Sequence, residues 1–128
     1  MAAGAAIAVQ SAHFAEEWIG GFNCRFPELL GLAPWSVELW ATFNLFWIGL
    51  WVLSMTGIRA RVHVALFPVW FLGIAGALNC VAHPLLALAA EGYFPGLWTS
   101  PLCGLSGGLL LRQLGELTRN GRTSVNLA

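Results

Sequence analysis

Apolar positions fill this chain in four long stretches, separated by short runs rich in Gly, Pro, Arg and other polar residues. A hydrocarbon core about 30 Å thick is crossed by a helix of about 20 mainly apolar residues, so each stretch reads as one span. The pattern predicts helices over about 2–19, 37–57, 62–90 and 101–118. Short connections between them give an all-α, four-helix transmembrane bundle of up-down topology, a single transmembrane domain over residues 1–128.

The boundaries follow from local chemistry. Gly20-Gly21 favours exit from the first helix. The connection to Trp35 mixes Arg25, Pro27, Glu28 and Pro34 with Phe22, Phe26, Leu29 and Leu30, which suits an interfacial loop or short helix lying across the bundle mouth. Ser36 caps the second helix, and Glu38 complements its dipole. Pro68 and Pro84 interrupt the third helix; Ser100 as cap and Pro101 at the first helical position start the fourth, which is expected to end near Thr118, before Asn120-Gly121. Trp40, Phe43, Trp47 and Trp51 recur at helical spacing, a stripe that reads as packing or lipid-facing surface rather than a cofactor box.

Composition sharpens the membrane reading. Hydrophobic residues form 58% of the 128 positions and charged residues 9%, against about a quarter charged in soluble domains. Net charge is zero and no basic patch interleaved with aromatics appears, which excludes nucleic acid as the expected partner. Cys24, Cys80 and Cys103 lack the spacing of a thiolate zinc site or a disulfide framework and read as small buried residues. The opening stretch lacks the cationic start of a secretory signal and reads as a retained first helix. Arg59, Arg61, Arg112, Arg119 and Arg122 share one side and Arg25 the other, so both termini are expected in the cytoplasm.

Against this apolar background the polar residues stand out. His13, Glu16 and Glu17 at i, i+3 and i+4 lie on one face of the first helix. An acid at the centre of a spanning helix costs about 2.5 kcal/mol or more, so these carboxylates should face the bundle interior with partners. Asn79 and His83 form an i, i+4 pair in the same outer half, and Asn44 enters at comparable depth from the second helix. His and Glu from one helix with His from another resemble the ligand set of a zinc or non-haem iron site. The same residues are also compatible with a purely structural hydrogen-bonded network, or with a metal-free acid/base site.

The run His13-Phe14-Ala15-Glu16-Glu17 resembles the name-giving motif of the HXXEE-domain family of small membrane proteins. Asn79-x-x-x-His83 is similar to that family's NxxxH element, and Tyr93-Phe94-Pro95-Gly96-Leu97, followed by Thr99 and Pro101, to its YxPG stretch. The resemblance implies an enzyme role without a defined substrate, with His13, Glu16, Glu17, Asn79 and His83 as site residues. The paired Glu and separate His-bearing helix also look like the arrangement of CAAX-type intramembrane proteases. The chain departs from that group in its short length, in the lack of an Arg after the paired Glu on the same helix, and in carrying one NxxxH-like element.

The leading expectation is a membrane hydrolase in which His13, Glu16 and His83 bind zinc or iron and Glu17, ligand or neighbour of the ion, acts as general base. Asn79 and Tyr93 would donate to a developing oxyanion, and the substrate would be lipid-like or otherwise apolar. Two other classes compete: a protein that binds a lipid, pigment or small ligand without changing it, and an assembly subunit. Gly104, Gly107 and Gly108, with Gly73 and Gly76-Ala77, are candidate close helix contacts, within the bundle or in a homo-oligomer.

Overall fold

The computed structural model describes residues 2–125, with side chains through 119. Five α-helices follow one another: α1 (Ala2–Gly20), α2 (Phe22–Leu29), α3 (Val37–Arg59), α4 (Leu66–Ala89) and α5 (Ser100–Val125), with a 3₁₀ turn at His63–Ala65 before α4. The described residues contain no strand.

Two stretches, Val37–Arg59 and His63–Ala89, are long and apolar enough to cross a membrane, with mean hydropathy 1.4 and 2.0. Among the described residues α1 and α5 do not join them. The reason lies in their side chains: α1 carries Gln10, His13, Glu16 and Glu17, and the second half of α5 is polar. On α3 and α4, Phe43, Leu45, Leu53, Phe67, Leu78 and Leu88 all stand exposed.

The helix ends obey the local chemistry. Ser36 Oγ accepts from Leu39 N–H at 3.1 Å and caps α3. At the other end Arg61 adopts φ 59°, and the paired bonds Val62 N–H to Gly57 O and Arg61 N–H to Ile58 O form a Schellman closure. Glu91, at φ 53°, closes α4 in the same way through Gly92 N–H to Ala87 O and its own N–H to Leu88 O. The fourth long helix does not stop near Thr118 but runs to Val125. Asn and Gly weaken a helix by about 1 kcal/mol or less each, unlike Pro, and no Pro stands there. Ser100 is not the accepting cap expected of it; its hydroxyl donates to Leu97 O at 2.9 Å.

The core joins the four long helices. Ala3 and Ala6 of α1, Trp51 of α3, Val69 and Leu72 of α4, and Leu110 and Leu114 of α5 form one buried cluster. The closest crossing is α4 on α5, and glycine permits it: a Cβ on Gly76 would lie 2.8 Å from Cys103 O, and one on Gly107 2.7 Å from Gly73 O. Gly104 is likewise filled by Cys80, whereas Gly108 faces open space. The small residues singled out from the sequence thus largely serve packing within the chain.

Candidate metal centre

α1 presents His13 and Glu17 one turn apart on the face that meets α4 and α5. His83 arrives from α4, where Pro84 offers no N–H to Cys80 O and loosens the turn beside it. All three side chains are buried, His13 completely. Nε2 of His13, Nε2 of His83 and Oε1 of Glu17 form a triangle with edges of 3.1, 3.4 and 3.4 Å. The point equidistant from those corners lies about 1.9 Å from each, so an ion slightly off the plane meets all three at the about 2.0–2.2 Å of zinc bonds to nitrogen and oxygen. This buried group could hold a metal ion.

The segment between α4 and α5 closes over the triangle. His83 Nδ1 lies 2.7 Å from Pro95 O, an acceptor only, so Nδ1 carries the hydrogen of that bond while Nε2 points at the centre. Gly96, at φ 91°, is pressed so close that a Cβ would collide with Cε1 of both imidazoles, 2.8 Å from that of His13. Gly20 of α1 makes the matching approach from below, with its own Cβ position 2.7 Å from that of Pro95. The two imidazoles meet edge to face, centroids 4.6 Å apart. Phe22 of α2 packs on His83 and on Phe94, and Arg25 lies over the Phe94 ring. The α2 cap is itself tied down by reciprocal bonds between Asn23 and Trp35.

Glu16 lies apart from the triangle. Its Oε1 accepts from Tyr93 Oη at 2.9 Å and Trp98 N–H at 3.0 Å, and its Oε2 from Thr99 N–H at 2.8 Å and Thr99 Oγ1 at 2.6 Å. Thr99 Oγ1 also sits 2.7 Å from His13 Nδ1. Tyr93 is thus engaged with a carboxylate, and partial burial together with that neighbour pushes its phenol up to about 12. Asn79 points to Gln10 Oε1 at 3.4 Å, one turn away from the imidazoles. Asn44 bonds the Trp40 carbonyl of its own helix, outside the cluster.

The structure therefore brings His13, Glu17 and His83 together and sends Glu16 and Tyr93 to the covering loop. Thr99, the Pro95 carbonyl, Gly96 and Gln10 are the participants that the sequence did not single out individually. Only Thr99, Pro95 and Gly96 had a signal, their place in the Tyr93–Pro101 stretch.

A family model described as "Protein of unknown function with HXXEE motif" matches residues 5–110, and the chain belongs to that HXXEE family. No curated protein and no solved structure matches it.

Proposed function

We propose that this HXXEE-family chain is a multi-pass membrane protein that holds a divalent metal, zinc or iron, at His13, Glu17 and His83 and hydrolyses a lipid-like or other apolar substrate. The carrying observation is the buried triangle of two imidazole nitrogens and one carboxylate oxygen with edges of 3.1 to 3.4 Å. Three protein ligands of this kind, with a position left for water or substrate, make up a catalytic rather than a closed structural site. The apolar lengths of α3 and α4 and their exposed Phe and Leu side chains support a bilayer setting. In this reading α1 and α5 are further spans of an up-down bundle, their polar groups turned inward, with both termini cytoplasmic.

A bound divalent ion would supply Lewis-acid polarisation and a water of lowered pKa. The chain's own residues do the rest. His13 and His83 present their Nε2 atoms, each held from behind at Nδ1 by Thr99 and Pro95. Glu17 would hold the ion through its carboxylate, which would also be the acceptor for a water proton. Asn79 and Tyr93, engaged with Gln10 and Glu16, position the cluster rather than meet an oxyanion.

The decisive measurement is elemental analysis of protein purified in detergent, wild type against Glu17→Gln and His83→Ala, with helicity followed by circular dichroism. One equivalent of metal in the wild type, lost in both variants at unchanged helicity, supports the centre; equal content in all three proteins ends it. Chelator-sensitive hydrolysis of a long-chain nitrophenyl ester by the wild type then supports the hydrolase reading, and no turnover by the metal-loaded protein removes it.

Complete burial of His13 and the cover formed by Phe22, Phe94 and Gly96 favour a second reading, in which the centre binds a ligand without transforming it. An unmodified copurifying lipid or pigment that is lost in His83→Ala would support that reading.

A further inference from the structure

A metal at this triangle requires a bare Nε2 on both imidazoles. For His83 the Pro95 carbonyl decides the matter, because it can only accept. For His13 the partner is a hydroxyl, which either gives or takes a hydrogen, so a further group must decide. That group is Glu16. Its Oε2 lies 2.6 Å from Thr99 Oγ1, a short charge-assisted bond, and a carboxylate has no hydrogen to offer. The one hydroxyl hydrogen of Thr99 therefore points to Glu16, and the lone pairs of Oγ1 face His13 Nδ1 at 2.7 Å. The imidazole must supply the hydrogen of that bond. Glu16 cannot easily turn away, since Trp98 N–H, Thr99 N–H and Tyr93 Oη hold its two oxygens.

We infer that Glu16 is a positioning residue that acts through Thr99 to impose the Nδ1–H tautomer on His13, so that two imidazole lone pairs and one carboxylate oxygen converge with no hydrogen between them. This rests on the metal reading above and deepens it. Which ring nitrogen carries the hydrogen is set by the partner of the other nitrogen. Acceptors held 3.1 to 3.4 Å apart repel one another until a cation enters, so the hydrogen bonds behind the triangle shape it for an ion. The paired Glu of the motif then divides its labour: Glu17 faces the ion, and Glu16 fixes the ring opposite.

The test uses the full-length chain labelled with ¹⁵N-histidine, stripped of metal with chelator, with resonances assigned through His63→Gln and His83→Ala. Thr99→Val removes the hydroxyl at nearly constant shape, Thr99→Ser keeps it, and Glu16→Leu leaves that hydroxyl without its acceptor, free to donate to His13. In the wild type and Thr99→Ser, His13 and His83 both carry hydrogen on Nδ1. In Thr99→Val and Glu16→Leu, His13 moves to the Nε2–H form while His83 stays as it was. Zinc affinity measured by competition falls about 10- to 100-fold in those two variants and remains near wild type in Thr99→Ser. An Nε2–H ring at His13 in the wild type overturns the inference, as does wild-type zinc affinity in Thr99→Val or Glu16→Leu. The tautomer readout needs no metal: a wild type with both Nδ1–H rings that takes up no zinc supports the relay and overturns the metal reading alone. Should Thr99→Val fail to fold, Glu16→Leu carries the same comparison.

Discussion

His13 and His83, 70 positions apart in the chain, point their Nε2 atoms at each other across 3.1 Å, and Oε1 of Glu17 lies 3.4 Å from both. With their hydrogens on Nδ1, as inferred above, the two imidazoles would not attract at that distance, and an ion between them would supply the missing favourable interaction.

Cobalt(II) offers a direct view of that interaction. Chain reconstituted with cobalt is expected to show visible d–d bands of a low-coordinate nitrogen and oxygen site, which Glu17→Gln and His13→Ala abolish while Glu38→Gln, on the far helix, retains them. Bands that survive both ligand substitutions would place the cobalt elsewhere.

Gly96→Ala combines a left-handed φ with a collision against both imidazoles. Overpacking of this kind costs about 1–3 kcal/mol, and the strained φ adds about 1 kcal/mol. Gly21→Ala, at φ 72° but in open space, should lose only the smaller part. Thermal unfolding in one detergent ranks the three proteins, and Gly96→Ala should also lose metal. Equal melting temperatures for the two variants would contradict the packing described for the loop.

Gly107 and Gly108 are neighbours with opposite surroundings. At Gly107 an added Cβ meets the Gly73 carbonyl, a backbone atom held by its own helix, so Gly107→Ala should destabilise by about 1–3 kcal/mol. Gly108→Ala gains helix propensity and should be stabilising by up to about 1 kcal/mol. Denaturant titration of both variants reads the sign of each change.

The single tyrosine makes its ionisation easy to follow. Tyr93 should titrate at about 12 by ¹³C NMR of its ring, against the ordinary 10.0. A phenol whose folded pKa is raised favours the folded state below pH 10, and that contribution fades as pH climbs from 10 to 12. Glu16→Gln removes the facing carboxylate and should move the midpoint back toward 10.0. An unchanged midpoint would show that burial alone sets it.

Much of this arrangement is legible in the residues themselves. Spacing puts His13 and Glu17 on one helical face, and the expense of a carboxylate among apolar side chains points that face inward. Four stretches of apolar sequence and the Gly and Pro between them mark out most helix limits. What periodicity cannot say is which of two adjacent carboxylates meets His83. That choice depends on the hydrogen-bond donors of Thr99 and Trp98, more than 80 positions away, and on a Pro95 carbonyl common to every residue type. Asn79 looked bound for the same cluster because it shares a face with His83, yet a Gln one turn along α1 is its partner. Pairings of this kind are fixed by helix rotation and depth, which sequence spacing leaves free.

The loop that covers the triangle also bears on how the protein is made. α1 leaves the ribosome first, but the groups that satisfy Glu16 lie in residues 93–99 and His83 lies in α4. On the proposed reading of α1 as a span, until those segments emerge it carries Glu16 without any of its partners and Glu17 with His13 alone, so its stable insertion would follow theirs. Released chains truncated after Ala90 should therefore leave α1 accessible to aqueous labelling reagents while α3 and α4 are protected, and the full-length chain should close that difference.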